Sequence, residues 1–121
     1  MINYKPALIA MIYEATNVNV VTSYPDVKLS PIIIMIEDSN EQIRTLDSND
    51  SNIEAANVEL TLEVYSDNKS ELIDLSNNVD KTLTDIGFIR NGTDEGKGVM
   101  YVSVLKYKAN MYQTNNKIII N

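Results

Sequence analysis

Residues 59–75, ELTLEVYSDNKSELIDL, change their hydrophobic period in the middle, and that switch restricts the fold more than any other feature. Val58, Leu60, Leu62 and Val64 alternate with Glu59, Thr61, Glu63 and Tyr65, which predicts a strand with one buried face and one acidic, wet face. Beyond it, Leu72, Leu75, Val79, Leu83 and Ile86 recur at helical spacing, predicting a helix over about residues 69–86. Asn68 stands at the N-cap with Glu71 in the capping-box position, and Gly87 suits a left-handed C-terminal cap. A strand that feeds directly into a capped helix is the fixed point around which the rest is placed.

On the N-terminal side, Pro6 fits the first turn of a helix over 5–15, with Leu8, Met11, Ile12 and Ala15 on its apolar face. Residues 16–31 read as irregular, with a short β-rich piece at 18–22 and an extended linker around Pro25 and Pro31. IIIMI, residues 32–36, is apolar on both faces, so it reads as a strand covered on both sides, by helices or by another subunit. Residues 37–57 form the longest polar stretch and read as a long loop, compatible with a short strand at 42–46. On the C-terminal side, NGTDEGKG (91–98) reads as a turn, 99–112 as a long strand, TNN as a turn, and KIII (117–120) as a short final strand. The fold class expected is α+β: one domain over residues 1–121, with an antiparallel or mixed sheet of about four strands and two helices packed on it.

Composition narrows the chemistry. With seven tyrosines, one phenylalanine and no tryptophan, the core must be built from Ile, Val, Leu and Met, and the tyrosines suit surfaces and interfaces. Seventeen acidic against ten basic residues give a net charge of −7, which disfavours tight nonspecific binding to a DNA backbone. No cysteine and no histidine leave carboxylates, lysine, tyrosine, serine and threonine as the candidate catalytic groups. Glu59 and Glu63 lie four residues apart on a strand, about 13 Å, farther than a glycosidase pair. In residues 47–58, a calcium-loop pattern begins with Asp47, Asn49 and Ser51, but Asn52 takes the place of the turn glycine and Val58 that of the closing glutamate. GTDEGKG lacks the spacing and the Ser/Thr of a phosphate loop. The N-terminal residues lack the basic region and cleavage site of a secretory signal, and no apolar run has the length of a membrane span. No cofactor, metal or enzymatic activity is expected.

Charge is unevenly distributed. Between Glu37 and Glu63 stand eight acids (Glu37, Asp38, Glu41, Asp47, Asp50, Glu54, Glu59 and Glu63) and one base, Arg44. From Val99 onward there are three lysines, Lys106, Lys108 and Lys117, and no acid. Such a split describes two solvated faces, or a head-to-tail contact in which the basic edge of one copy meets an acidic surface of the next.

Read together in order, several segments resemble the tail terminator and tail completion proteins of long-tailed bacteriophages. They are the N-terminal helix, the linker SYPDVKLSP, the strand IIIMI, the polar insertion, VELTLEVYS running into NKSELIDLSNNVDKTLTDIGFIRN, and the tyrosine-bearing VMYVSVLKYKANMY. The resemblance implies a small α+β structural protein of the virion tail or neck, assembled in the host cytoplasm as a hexameric ring. The ring would cap the tail tube protein and join it to the head–tail connector or stopper protein, with DNA passing through its channel without specific binding and no membrane involved. No catalytic residue carries over. Glu37, Asp38, Glu41, Asp47, Asp50, Glu59 and Glu63, with Lys106, Tyr107, Lys108 and Lys117, are the candidate interface or channel residues. Two alternatives stay open: a head completion or neck connector protein of similar fold, and a small ferredoxin-like α+β binding module unrelated to phage.

Overall fold

A computed structural model describes residues 2–27, 29–43, 54–96, 101–114 and 117–120. In chain order they form α1 (Lys5–Thr16), β1 (Val20–Val21), β2 (Ile32–Ile43), β3 (Glu54–Ser66), α2 (Lys69–Asp85), β4 (Ile89–Gly96), β5 (Tyr101–Thr114) and β6 (Lys117–Ile120). The α+β class and the mixed sheet are within the expectation, but the described residues form six strands rather than about four. The sheet order is β1-β2-β3-β5-β4, with β6 continuing the outer side of β5 beyond β4, and among the described residues only the β1–β2 pair is parallel. This element order is not the β-α-β-β-α-β succession of a ferredoxin-like module, which removes that part of the second alternative.

The strand–helix unit forms as its periodicity dictates. In β3, Val58, Leu60, Leu62 and Val64 are buried beneath the helices. Ser66 then accepts the Asn68 backbone N–H and donates its hydroxyl to Glu71, while the Asn68 side chain caps the Glu71 N–H at 3.1 Å. Glu71 thus turns back to Ser66 rather than to the cap residue's own N–H. At the other end, Gly87 N–H donates to Thr84 O and Phe88 N–H to Leu83 O, the paired bonds of a Schellman cap, with Gly87 at φ +117°. α1 buries Leu8 and Ile12, but Met11 is 38% exposed and Ala15 is exposed, so its buried stripe is narrower than the sequence pattern suggested.

Three further expectations change. Residues 91–96 are not a turn but part of β4, because β5 offers them a ladder from Ile89↔Lys108 to Gly96↔Val102, shifted in register between Arg90 and Gly92; residues 97–98 of the expected turn lie outside the described residues. The polar stretch after Ile36 is not loop throughout: β2 runs on to Ile43 and β3 begins at Glu54, so the two strands form a long arm of paired backbone. The possible strand at 42–46 is the end of β2 as far as Ile43, and its remainder lies outside the described residues. IIIMI is covered on both sides, as its composition requires. Ile33 and Met35 join the core under the helices, whereas Ile32 and Ile34 point to the opposite face and are still 3% and 2% exposed. On that side the Tyr24 hydroxyl donates to Glu63 at 2.7 Å and Asp67 N–H donates to Ser30 Oγ at 3.0 Å, bringing the chain's own linker over this end of the sheet. The core lies on the helix side, where α1 and α2 pack on β2, β3 and β5, and β6 adds Ile118 and Ile120 at its margin.

Candidate functional site

The two helices occupy one side of the sheet, and away from the linker the other side is open. Alternation along the strands fills that open face with the residues the core does not use. β3 contributes Asn57, Glu59, Thr61 and Glu63, and β5 sets Asn110, Lys108 and Lys106 opposite the first three of them. β2 adds Ser39 opposite Glu59 and Glu41 opposite Asn57. A register shift between Glu37 and Ser39 makes Asp38 the extra residue of a β-bulge. Alternation therefore changes phase there: Glu37 belongs to the helix side and Ser39, two residues later, to the open face.

Several groups on this face satisfy one another. The Thr61 hydroxyl donates to Asp38, so the bulge residue is tied to the neighbouring strand. Glu63 accepts hydroxyl hydrogen bonds from Tyr24 and Tyr65 on its two oxygens. For Tyr65, burial and then the Glu63 carboxylate push the phenol well above its ordinary pKa; for Tyr24 the hydrogen bond to Glu63 is the larger cause of the rise. Among the described residues, the Glu59 side chain has only a long contact from Ser39, at 3.5 Å. Lys106 and Lys108 are exposed and, among the described residues, their side chains make no hydrogen bond or ion pair, although Glu59 is the cross-strand neighbour of Lys108. Between these residues runs an open trough of about 550 Å³, lined by Ser39, Glu41, Asn57, Glu59, Lys108 and Asn110, with Ile89 at its rim.

The remaining sequence candidates go elsewhere. Tyr107 is 1% exposed and lies in the core, so it cannot serve an interface; between Lys106 and Lys108, a period of two turns it to the opposite side. Its hydroxyl donates to Asp80 at 2.9 Å, and Arg90 pairs with the same carboxylate at 3.2 Å. Burial and the Asp80 bond both raise the Tyr107 pKa far above its usual range. Glu37 is a packing residue on the helix side, accepting from Tyr4 at 2.7 Å and Asn40 at 3.1 Å and pairing with Lys5 at 3.2 Å. Burial alone would raise its carboxyl pKa. The hydrogen bonds from Tyr4 and Lys5, with the lysine charge, outweigh burial and hold it below the usual carboxylate range. Lys117 lies on β6 opposite Thr114, and Asp47 and Asp50 lie outside the described residues. Lys106 and Lys108 stand on an interior strand, so the expected basic edge is a basic column on a sheet face.

Sequence reasoning did not find the Tyr24–Glu63–Tyr65 and Tyr107–Asp80–Arg90 clusters. Each joins elements far apart in the chain, and only the alternation around Tyr107 carried a local signal. Among the described residues no group of three or more acidic side chains gathers in a way that could hold a metal ion, and no helix is long and apolar enough to cross a membrane. The open face is a broad, mixed-charge surface suited to contact with another macromolecule. No family model matches the sequence, and no curated protein matches it.

Proposed function

We propose that the chain is a structural virion protein of the tail terminator kind, forming a hexameric ring that ends the tail tube and joins it to the head connector, rather than an enzyme. The observation that carries this reading is the open sheet face. It spreads exposed charge over three strands and presents it outward, as an assembly surface does. The order of helix, linker, doubly covered strand, strand–helix unit and late strand supports the resemblance described above. Asp38, Glu41, Glu59 and Glu63 against Lys106 and Lys108 leave the face net acidic, which suits a wall that DNA passes without adhering.

Electron microscopy and native mass spectrometry of the protein, alone and with tail tubes lacking their end cap, test the proposal. The expected result is a six-fold ring, free or at the tube end. A protein that stays monomeric at high concentration and leaves the tubes uncapped would overturn it. Copurification with filled heads lacking tails, rather than with headless tails, would transfer the assignment to a head completion protein.

A further inference from the structure

Acidic and basic residues that are distant in the chain stand side by side on the open face. β3 carries Glu59, β5 carries Lys106 and Lys108, and Glu59 and Lys108 are direct cross-strand partners. Both lysines are exposed and their side chains are unpaired among the described residues. Surfaces that meet head to tail must lie on different sides of a subunit. Two complementary columns on one flat face instead match a second copy related by a two-fold axis. An axis running along the strands, between β3 and β5 and parallel to the face, lays β3 of each copy over β5 of the other. Position along the strand is preserved by that rotation, so Glu59 meets the second copy's Lys108, and Lys108 meets its Glu59. The same operation sets Ser39 beside the second copy's Ile89, because both are level with the Glu59–Lys108 pair.

We propose that the open face is a self-association surface, on which two copies of this chain pair face to face through the Glu59 and Lys108 columns. The occupant is a second copy because the face is complementary to itself. The second copy's Glu59 supplies the partner that Lys108 lacks, and its Lys106 and Lys108 offset the acids that two such faces would otherwise set against each other. The linker held by Tyr24 at Glu63, with Thr61 and Ala55 buried, limits the contact to the part of the face around Asn57, Glu59, Lys106, Lys108 and Asn110. The pairing is therefore modest in area and reversible, and it weakens as salt screens the columns. The proposal does not rest on the ring assignment, since a pairing of faces can precede ring assembly or occur without it.

The test is a mixing experiment followed by analytical ultracentrifugation at low and high ionic strength. One variant, Lys106→Glu with Lys108→Glu, makes the face wholly acidic; a second, Glu59→Lys with Glu41→Lys, makes it predominantly basic. Circular dichroism first confirms that both fold, as expected for exchanges at exposed positions. Wild-type protein should dimerise at low salt and dissociate at high salt. Each variant alone should self-associate at least about tenfold more weakly, and an equimolar mixture of the two should restore the dimer. A wild-type protein monomeric at low salt, or variants that dimerise as well alone as mixed, would overturn the proposal. A six-fold particle that assembles equally well from the acidic variant, with no salt-sensitive dimer, would also overturn the face pairing while leaving the ring assignment supported.

Discussion

Replacing Gly87 by alanine strikes the point where the end of α2 meets the last strand. Gly87 has φ +117°, and a β-carbon there would stand 2.7 Å from the Ile120 carbonyl oxygen and 3.1 Å from its carbonyl carbon. Holding an L-residue in such a conformation costs about 1–3 kcal/mol. Relieving the clash requires β6 to move, and β6 contributes the half-buried Ile118 and Ile120 to the core margin. Losing half of the burial of two isoleucines costs about 2 kcal/mol. Some combination of strain and displacement sets the total near 3 kcal/mol. With an unfolding entropy of about 2.1 cal/mol/K per residue, each 1 kcal/mol corresponds to about 4 °C, so Tm should fall by about 12 °C. Urea and thermal denaturation of Gly87→Ala, in the full chain and in a chain ending at residue 116, separate the two causes. Without β6 the alanine should cost only its backbone strain, giving a coupling of at least about 1 kcal/mol between the two changes. Equal penalties in both backgrounds, or a loss below about 0.5 kcal/mol in the full chain, would refute the close-approach explanation.

The N-cap of α2 and the Glu37 cluster give two further tests. Asn68→Ala should destabilise the protein by about 1 kcal/mol by freeing the Glu71 N–H, with Asn68→Ser recovering most of the loss, as read by urea midpoint. The Glu37 carboxyl is held below its usual pKa, so the stabilisation it gives is present above the unfolded-state pKa and is lost as pH falls through the folded-state value. Glu37→Gln should therefore be less stable than wild type near pH 7, and the gap should narrow toward pH 3. An unchanging gap across that range would show that Glu37 acts through packing alone.

Local period and capping chemistry made much of the fold legible in the sequence. The β3–α2 unit was readable because burial on one strand face, a side-chain cap and a glycine stop each act within a few residues. The doubly apolar Ile32–Met35 likewise announced a strand buried on both faces, although not that the linker would be hydrogen-bonded on the side away from the helices. β4 was misread as a turn because its glycines and acids have no strand preference of their own; the ladder to β5 supplies what local sequence does not. The polar arm of β2 and β3 was read as loop for the same reason.

The candidate site shows the same division at the level of single residues. Sequence placed Glu59 and Glu63 on the wet side of a strand, since alternation within one strand is enough to do so. It also held the information that Tyr107 must face away from Lys106 and Lys108. By itself, then, the sequence determined the elements, the core faces and the uneven charge, all of which depend on neighbours along the chain. Only the tertiary structure decided which charges share a surface. The β3–β5 register, fixed by core packing on the far side of the sheet, sets Glu59 beside Lys108 although they stand 49 positions apart in the chain, and turns an apparent split between two surfaces into two columns on one face.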